Sequence, residues 1–551
     1  MGISSSKLKP QNSSSFQDTH SFSYLQTSFN GDLVTPQDPS YTTSISRWAL
    51  NASRNAALIA YPKSAEDISL IMTYAKGKNI RLTVKGGGHS CMGASSVEGG
   101  VVVDLEKYFG MVRVDEEKRL AYVGGGAVWK DVDEETMKCG LATVGGTVNH
   151  TGVGGLTLGG GVGWLTGEYG LAIDNLEQVS SERDNGSFVS SGNSLKVTIV
   201  LPNRATPTTA SATSHSDLFW ALRGAGSNFG VVTEFVFRLY PQRKTVFSGF
   251  LIYPLLSSPS AGDNHDHSEK LKLEKLDQVF GATSEWWCRN GGVAGGVPQQ
   301  ESVFVVVQGD SMKAPDGGES ASRLDQSTPT PNASSTDLIV IPFLNGPESA
   351  GKEIYKAFLN LGPKLDSTGD MRYEEMNALM NDDYAHGLCR YMRGFSQSEI
   401  DIPGTHRVTE AVHLFNQQSR RFKVTVVYEY IPLRKRDSVP IEATAFPRDS
   451  ANNGFIVITW ETNTKENWDK AKKIMEELLE ILEGTADEER PEMVSIGEVQ
   501  ENLDHRVRGR KYASKELFGV EKYEKLQRVK AEYDPDNIFN SWFSIKPVRS
   551  S

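Results

Sequence analysis

The 551-residue sequence is poor in cysteine. Its four cysteines, Cys91, Cys139, Cys288 and Cys389, are scattered, and none belongs to a CxxC pair. That spacing suggests neither a zinc knuckle nor a disulfide framework. HExxH and GxxxxGK[ST] are absent, so zincin and P-loop chemistries lack their signatures. No apolar run reaches the roughly 18 residues needed to cross a bilayer. Positive charge is in deficit: 58 Lys and Arg against 69 Asp and Glu leave a net charge of −11. A nucleic-acid partner, which requires a basic field, is therefore not expected. What the chain has in quantity is glycine, 52 residues of it, much of it in two clusters.

The length is too great for one ordinary core and points to two domains or more. Residues 1–45 form a Ser/Thr-rich tail expected to be disordered. Its opening "MGISSSKLKPQNSSSF" has no apolar core, so no signal peptide is read and a cytoplasmic location is expected. Gly2, Ser6, Lys7 and Lys9 fit an N-myristoylation site with a small basic patch. A single acyl chain would give only weak membrane contact, and a plain Ser-rich tail is the alternative.

From residue 46 the texture becomes globular. "AALIAYP" and "IRLTV" read as strands flanking a helix over "SAEDISLIMTYAKGKN". Ser64 can cap that helix, Ile68, Ile71, Met72 and Ala75 share a face, and Gly77 can end it. "GGVVVDL", "MVRVD", "RLAYVGGG", "SLKVTIVLP" and "NFGVVTEFVFRLYP" are further strands, and "VWKDVDEETMKCG" is a helix with Val128, Val132, Thr136 and Met137 on one face. After residue 245, strands such as "RFKVTVVYEYIP" and "GFIVITW" mix with helices such as "NWDKAKKIMEELLEILEG" without strict alternation, which indicates an α+β class. Residues 180–194 and 309–336 are polar interruptions, either surface loops or intron sequence retained in the gene.

The first glycine cluster is "KGGGHSCMG", with Gly86, Gly87, Gly88 and Gly93 around His89. The second runs from Gly145 to Gly170, too dense for a helix interior. Glycine serves where backbone turns left-handed or approaches something closely, and successive bare N–H groups can cradle an anion. The GxGxxG of a Rossmann site is absent from both clusters. A diphosphate cradle of another architecture and a plain Gly-rich turn scaffold both remain open. His89 is either a satisfied turn histidine or a nucleophile at the end of such a cradle.

Four segments, "VKGGGHSCMGASSVEGGVVVDL", "GVGGLTLGGGVGWLTGEYGLAIDNL", "DLFWALRGAGSNFGVVTEFVFRLYP" and "KAEYDPDNIFNSWFSIKP", occur in this order. Together they resemble the FAD-linked oxidoreductases of the berberine-bridge-enzyme-like type, with a flavin domain of the PCMH (vanillyl-alcohol-oxidase-like) kind. The likeness spans residues 46–548 and is weak between 245 and 500. It implies a PCMH-type FAD-binding domain over 46–243, an inserted substrate domain over 244–500 built on an antiparallel sheet covered by helices, and a C-terminal return over 501–551. It also implies FAD bonded once, through His89 to the 8α-methyl group. Gly86, Gly87, Gly88, Ser90 and Gly93 would wrap the diphosphate. Gly146, Gly152, Gly155, Gly159, Gly160 and Gly163 would continue the cradle. Gly230 and Val232 would run beside the flavin ring, and Asn537 and Phe539 would lie on the C-terminal return to the cofactor. Some relatives add a cysteinyl bond; the matching position here is Val148, so one bond is expected. Cys91 reads as a small buried thiol, and His150 either bonds backbone or contacts the flavin side.

The resemblance further implies hydride transfer from a small organic substrate to flavin N5, with O2 or another electron acceptor restoring the flavin, in a fungal secondary-metabolism setting. The proton acceptor departs from the family pattern. Plant members carry Y-x-N-Y near the C-terminus, where this chain has Gln500 to Asp504, and a glutamate used by other relatives is replaced near Asn453. The candidates left are Tyr428, Tyr430, Glu429 and Glu501. Alternation along a strand puts Tyr428 and Tyr430 on one face and Glu429 on the other; the two tyrosines are taken as the catalytic pair. The absent Y-x-N-Y motif also leaves open a flavin-containing cyclase or isomerase without net redox turnover.

Overall fold

The computed structural model describes residues 20–176, 180–182, 188–190, 196–202, 207–256, 265–289, 296–309, 336–397, 399–418, 421–448, 454–483, 514–541 and 543–548. The acylation pattern at Gly2, Glu501 and Asn453 lie outside these residues.

The β-α-β opening is present. Helix Ala65–Gly77 starts where Ser64 Oγ accepts the Asp67 N–H at 3.2 Å. Ile68, Ile71, Met72 and Ala75 are buried against Leu58, Ala60, Leu82, Val101 and Val103 of the sheet below. The strands on either side, Leu58–Tyr61 and Leu82–Lys85, do not pair with each other. Both run parallel to Val101–Asp104, which lies between them, and Asp32–Val34 adds an antiparallel edge, so the expected disorder of residues 1–45 does not hold from residue 20 on, where helix Phe22–Ser28 also buries Leu25. All four positions of Val101–Asp104 are buried, which is why "VVVD" shows no alternation.

A second, five-stranded antiparallel sheet is centred on Val231–Arg238, which pairs with Lys196–Val200 on one side and Leu120–Gly124 on the other. Helix Trp129–Met137 buries Trp129, Val132, Asp133 and Thr136. Val132 and Thr136 of the expected face are buried and Met137 is partly so, while Val128 is the N-cap and the Trp129 indole joins the inward face. Ser180–Glu182 and Phe188–Ser190 pair as a short antiparallel hairpin.

The second half builds a nine-stranded antiparallel sheet. Along its path lie Glu301–Gly309, Phe422–Tyr430, Gly454–Trp460 and Cys389–Phe395. Helices His265–Trp287, Ile402–Gln418 and Lys465–Glu483 pack on it. In the last helix Ala471, Ile474, Met475, Leu478, Leu479 and Leu482 are all buried, the apolar face that the sequence pattern predicts. The architecture is α+β, two smaller sheets beside a large helix-covered antiparallel sheet.

The C-terminal helix Val520–Tyr533 returns to the first half, packing on helix Ser216–Leu222. Lys530 and Asp534 at its end are fully buried and paired at 2.7 Å. The Lys530 ammonium also donates to the carbonyls of Asn228 and Phe539, while the Asp534 carboxylate accepts the N–H groups of Ile538 and Phe539. A buried pair satisfied in this way holds the tail against the 225–231 loop; removing one partner strands a charge without solvent. Lys530→Ala should therefore destabilise the fold by about 3–5 kcal/mol, read as a lowered urea midpoint. An unchanged midpoint would show that the pair does not hold the tail.

Candidate active site

A cavity of about 500 Å³ opens between the two smaller sheets and the large one. Its floor is backbone. Gly87 and Gly152 touch main chain to main chain: a Cβ on Gly87 would lie 2.6 Å from Gly152 N, and one on Gly152 would lie 2.4 Å from Gly87 N. Neither position can carry a side chain unless the two runs part. Gly155 differs, since a Cβ there meets nothing within 4 Å and would project into open space. Gly88 holds φ +67, a left-handed turn that aims the following histidine into the cavity.

Of the residues expected to hold a cofactor, Gly86, Gly87, Gly88, His89, Ser90, Gly146, Gly152, Gly155, Gly159, Gly230 and Val232 line the cavity. The others stand behind it. Gly163 backs onto the Gly145 carbonyl, and Gly160 lies under the Phe446 ring. Gly93 adjoins Ala52 at a left-handed turn. Asn537 makes a left-handed turn at φ 52, and Phe539 is buried among Val200 and Val231, behind the Gly230 strand. The second cluster therefore divides between wall and internal packing. The wall also carries a polar atom in want of a partner: Ser95 Oγ is buried and has no hydrogen bond among the described residues.

His89 is the first of a row of imidazoles. Its Nε2 lies 3.1 Å from Nδ1 of His150, and the His150 ring is 5.0 Å from that of His386. The other side of His89 stacks on Trp48, with centroids 4.0 Å apart and planes 12° apart. Beneath Trp48, 4.4 Å from its ring, sits the buried Arg390 guanidinium. Asn51 clamps this arrangement together: its amide donates to the carbonyls of Cys91 and Arg390, and its Oδ1 accepts the Arg390 N–H at 2.7 Å. The loop bearing His89 is thus pinned to the Cys389–Phe395 strand of the large sheet. Burial first, and then the neighbouring His150, His386 and Arg390, hold His89 well below the ordinary imidazole range. His150 is pushed down to about 4 by burial and by His386 and Arg390. Both rings are neutral at pH 7, the state in which imidazole is a nucleophile or a base. Trp48, Asn51, His386 and Arg390 escaped the sequence reading because they stand alone in ordinary contexts. Only the tertiary fold collects them.

Strand Phe422–Tyr430 forms the opposite wall, and here the expectation is reversed. Tyr428 and Tyr430 do not line the cavity. Tyr428 packs edge-on against Phe280 and Phe395, and Tyr430 against Trp287, on the helix-covered side of the sheet. Burial raises both phenols far from a useful range. Glu429, between them, faces the cavity beside Met392 and Phe455, and burial raises its carboxyl to about 7. The alternation was legible; which face met the cavity was not.

Comparison with known proteins gives matches along most of the chain. The FAD binding domain family matches residues 56–192, and the berberine and berberine-like family matches residues 499–546. FAD-linked oxidoreductase pgmH of Aspergillus terreus is 30% identical over 543 residues, covering 95% of each chain. The (R)-6-hydroxynicotine oxidase of Paenarthrobacter nicotinovorans is 32% identical over 235 residues, 43% of this chain and 47% of that protein. Among solved structures, the glucooligosaccharide oxidase of Acremonium strictum, described with a 6-S-cysteinyl, 8α-N1-histidyl FAD, aligns with a TM-score of 0.70 at 20% identity. The alignment covers 96% of this chain and 99% of that one.

The two kinds of glycine separate by mutation. Gly87→Ala should lower the melting temperature and empty the cavity of ligand together. Gly155→Leu should leave the melting temperature near that of the parent while blocking ligand. Equal thermal effects from the two substitutions would refute the assignment.

Proposed function

Because the chain belongs to the berberine-bridge-enzyme-like FAD-linked oxidoreductases, we propose that it oxidises a small, largely apolar substrate, with FAD bonded through His89 and Glu429 taking the substrate proton. The residues fit such a cofactor: two bare backbone runs, an unpaired Ser95 hydroxyl, and a neutral imidazole on one cavity. Bound FAD would supply a two-electron acceptor for hydride from a substrate carbon, with dioxygen as the oxidant that restores it. Val148 lines the cavity where some relatives carry a cysteine, so His89 is the single point of attachment.

The observation that carries the reading is the pairing of His89 on one wall with Glu429 on the other. A carboxylate with a pKa near 7 accepts a proton readily at neutral pH and returns it without a large barrier. Its role removes the reason for a cyclase or isomerase without redox turnover, which rested on the missing tyrosines. Around Glu429 the wall is mainly apolar, with Met392, Phe455, Ile431 and Leu433, and Tyr384 and Arg436 are the polar side chains of the same side. An oligosaccharide there would leave its hydroxyls facing thioether and phenyl groups, at a cost of about 1–3 kcal/mol for each unpaired group. An alcohol, phenol or amine with an apolar body suits this wall, in keeping with a natural-product intermediate.

Attachment is checked by acid denaturation: yellow colour should stay with the peptide containing His89, and His89→Ala should release it. Protein that stays colourless after FAD supplementation would overturn the assignment. For the base, Glu429→Gln should slow flavin bleaching by substrate about 10²–10⁴-fold in stopped flow. Since the carboxylate must be deprotonated to act, the parent rate should climb as pH rises through about 7. A flat profile would exclude Glu429.

A further inference from the structure

We propose that Tyr384 is the donor that holds the oxygen of the substrate, and that the substrate is an alcohol or phenol and not an amine, which deepens the oxidase function proposed above and rests on it. Tyr384 lines the cavity and is 8% exposed. Its hydroxyl makes no hydrogen bond to another described residue, yet it is not sealed off as Ser95 Oγ is. A phenol so placed has a proton left to donate. Arg436, the other polar side chain on this side, is engaged: its Nε donates to Asp437 at 2.6 Å. The turn that carries Tyr384 is tied to both halves of the chain. Asn377 donates to Asp133 at 2.7 Å and Asn381 to Asn149 at 2.8 Å, while Asp383 pairs with Lys423 of strand Phe422–Tyr430 at 2.9 Å. The Tyr384 carbonyl accepts the Trp48 indole N–H at 2.5 Å, and the two rings stack with centroids 6.4 Å apart. Burial first, and then the charges of Asp383 and Glu429, raise the phenol well above its ordinary range. Tyr384 is therefore a neutral O–H held in place, a donor and not a base.

A neutral donor and a carboxylate base on one cavity suit an oxygen. The substrate hydroxyl donates to Glu429 and accepts the Tyr384 O–H on a lone pair. In the reaction the O–H bond breaks and its proton passes to Glu429. A C–H bond breaks and its electron pair leaves with the hydrogen, as hydride to the flavin. The pair left on oxygen closes the C=O bond, on the adjacent carbon of an alcohol or through the ring of a para-alkyl phenol. Oxygen has lone pairs to spare at every stage, so the Tyr384 bond lasts, and it tightens as negative charge gathers there. Nitrogen behaves otherwise. A neutral amine has a single lone pair, and that pair must form the C=N bond as hydride departs. A phenol donating to it opposes the transfer. A site built to hydrogen-bond a hydroxyl also leaves its own donor unpaired when the hydroxyl is missing, which rejects the wrong substrate.

The test compares the holoenzyme with Tyr384→Phe, which keeps the ring against Trp48 and should keep the parental melting temperature and yellow colour. Binding is read first, by quenching of tryptophan fluorescence, with acetophenone and ethylbenzene, two probes of one body that differ in the oxygen. The parent should hold the ketone about tenfold tighter than the hydrocarbon, and Tyr384→Phe should hold the two alike. Flavin bleaching in stopped flow is read next, with 1-phenylethanol and 1-phenylethylamine. The alcohol should reduce the parent faster than the amine, and Tyr384→Phe should slow the alcohol about 100-fold and narrow the difference between the two. A preference for the ketone that is missing in the parent, or that survives in Tyr384→Phe, overturns the role of Tyr384. Equal slowing of alcohol and amine marks a structural role only and overturns it too. A parent reduced faster by the amine overturns the substrate class. If no alcohol or amine with an aryl or terpenoid body bleaches the parent, the oxidase function fails instead, a result distinct from failure of the Tyr384 contact, which the binding probes read without turnover.

Discussion

The cavity depends on a contact between two glycines. Gly87 and Gly152 meet at main-chain distance, where a single methyl group on either would overlap the other's backbone nitrogen. The contact joins a strand-end loop of the first sheet to the start of helix Val153–Leu158, segments far apart in sequence. It also sets the chemistry, because His89 follows Gly87 by two residues and His150 precedes Gly152 by two. Bringing the glycines together places the imidazoles side by side. The wall and the reactive ring are thus two results of one close approach.

Electrostatics acts on that geometry in one direction. Arg390 is buried beneath Trp48 with its backbone N–H and carbonyl both held by Asn51, so its charge is fixed in place. Burial lowers its pKa to about 10, still well above neutrality, so the charge persists. A persistent cation and a dry setting keep neighbouring imidazoles neutral. Burial also raises Glu429 across the cavity, where no cation among the described residues pairs with it. One low-dielectric space therefore lowers the bases on one wall, keeping them neutral at pH 7, and raises the acid on the other to about 7.

Much of the fold was legible. The periodicity of Ile68, Ile71, Met72 and Ala75, with Ser64 as cap, indicated its helix, and the apolar face of the Lys465–Glu483 helix was equally plain. These features are local, with hydrogen bonds and burial set by residues a few positions apart. Helix Trp129–Met137 was legible in position and in its Val132–Thr136 face, but not in the part that the Trp129 indole plays in it. Where glycine was concerned, the sequence could mark the clusters but not divide them. Gly155 opens on the cavity while Gly163 packs on Gly145, and nothing in their immediate context distinguishes them.

By itself, then, the sequence determined the α+β class, the two glycine runs, the histidine between them and the alternation of Tyr428, Glu429 and Tyr430. These follow from backbone sterics and from period-two or period-3.6 burial, which are properties of neighbouring residues. Only the tertiary structure decided that Glu429 rather than the tyrosines meets the cavity, and that Trp48, Asn51, His150, His386 and Arg390 surround His89. Those outcomes depend on how the large sheet faces the smaller ones, and that is set by contacts between residues hundreds of positions apart.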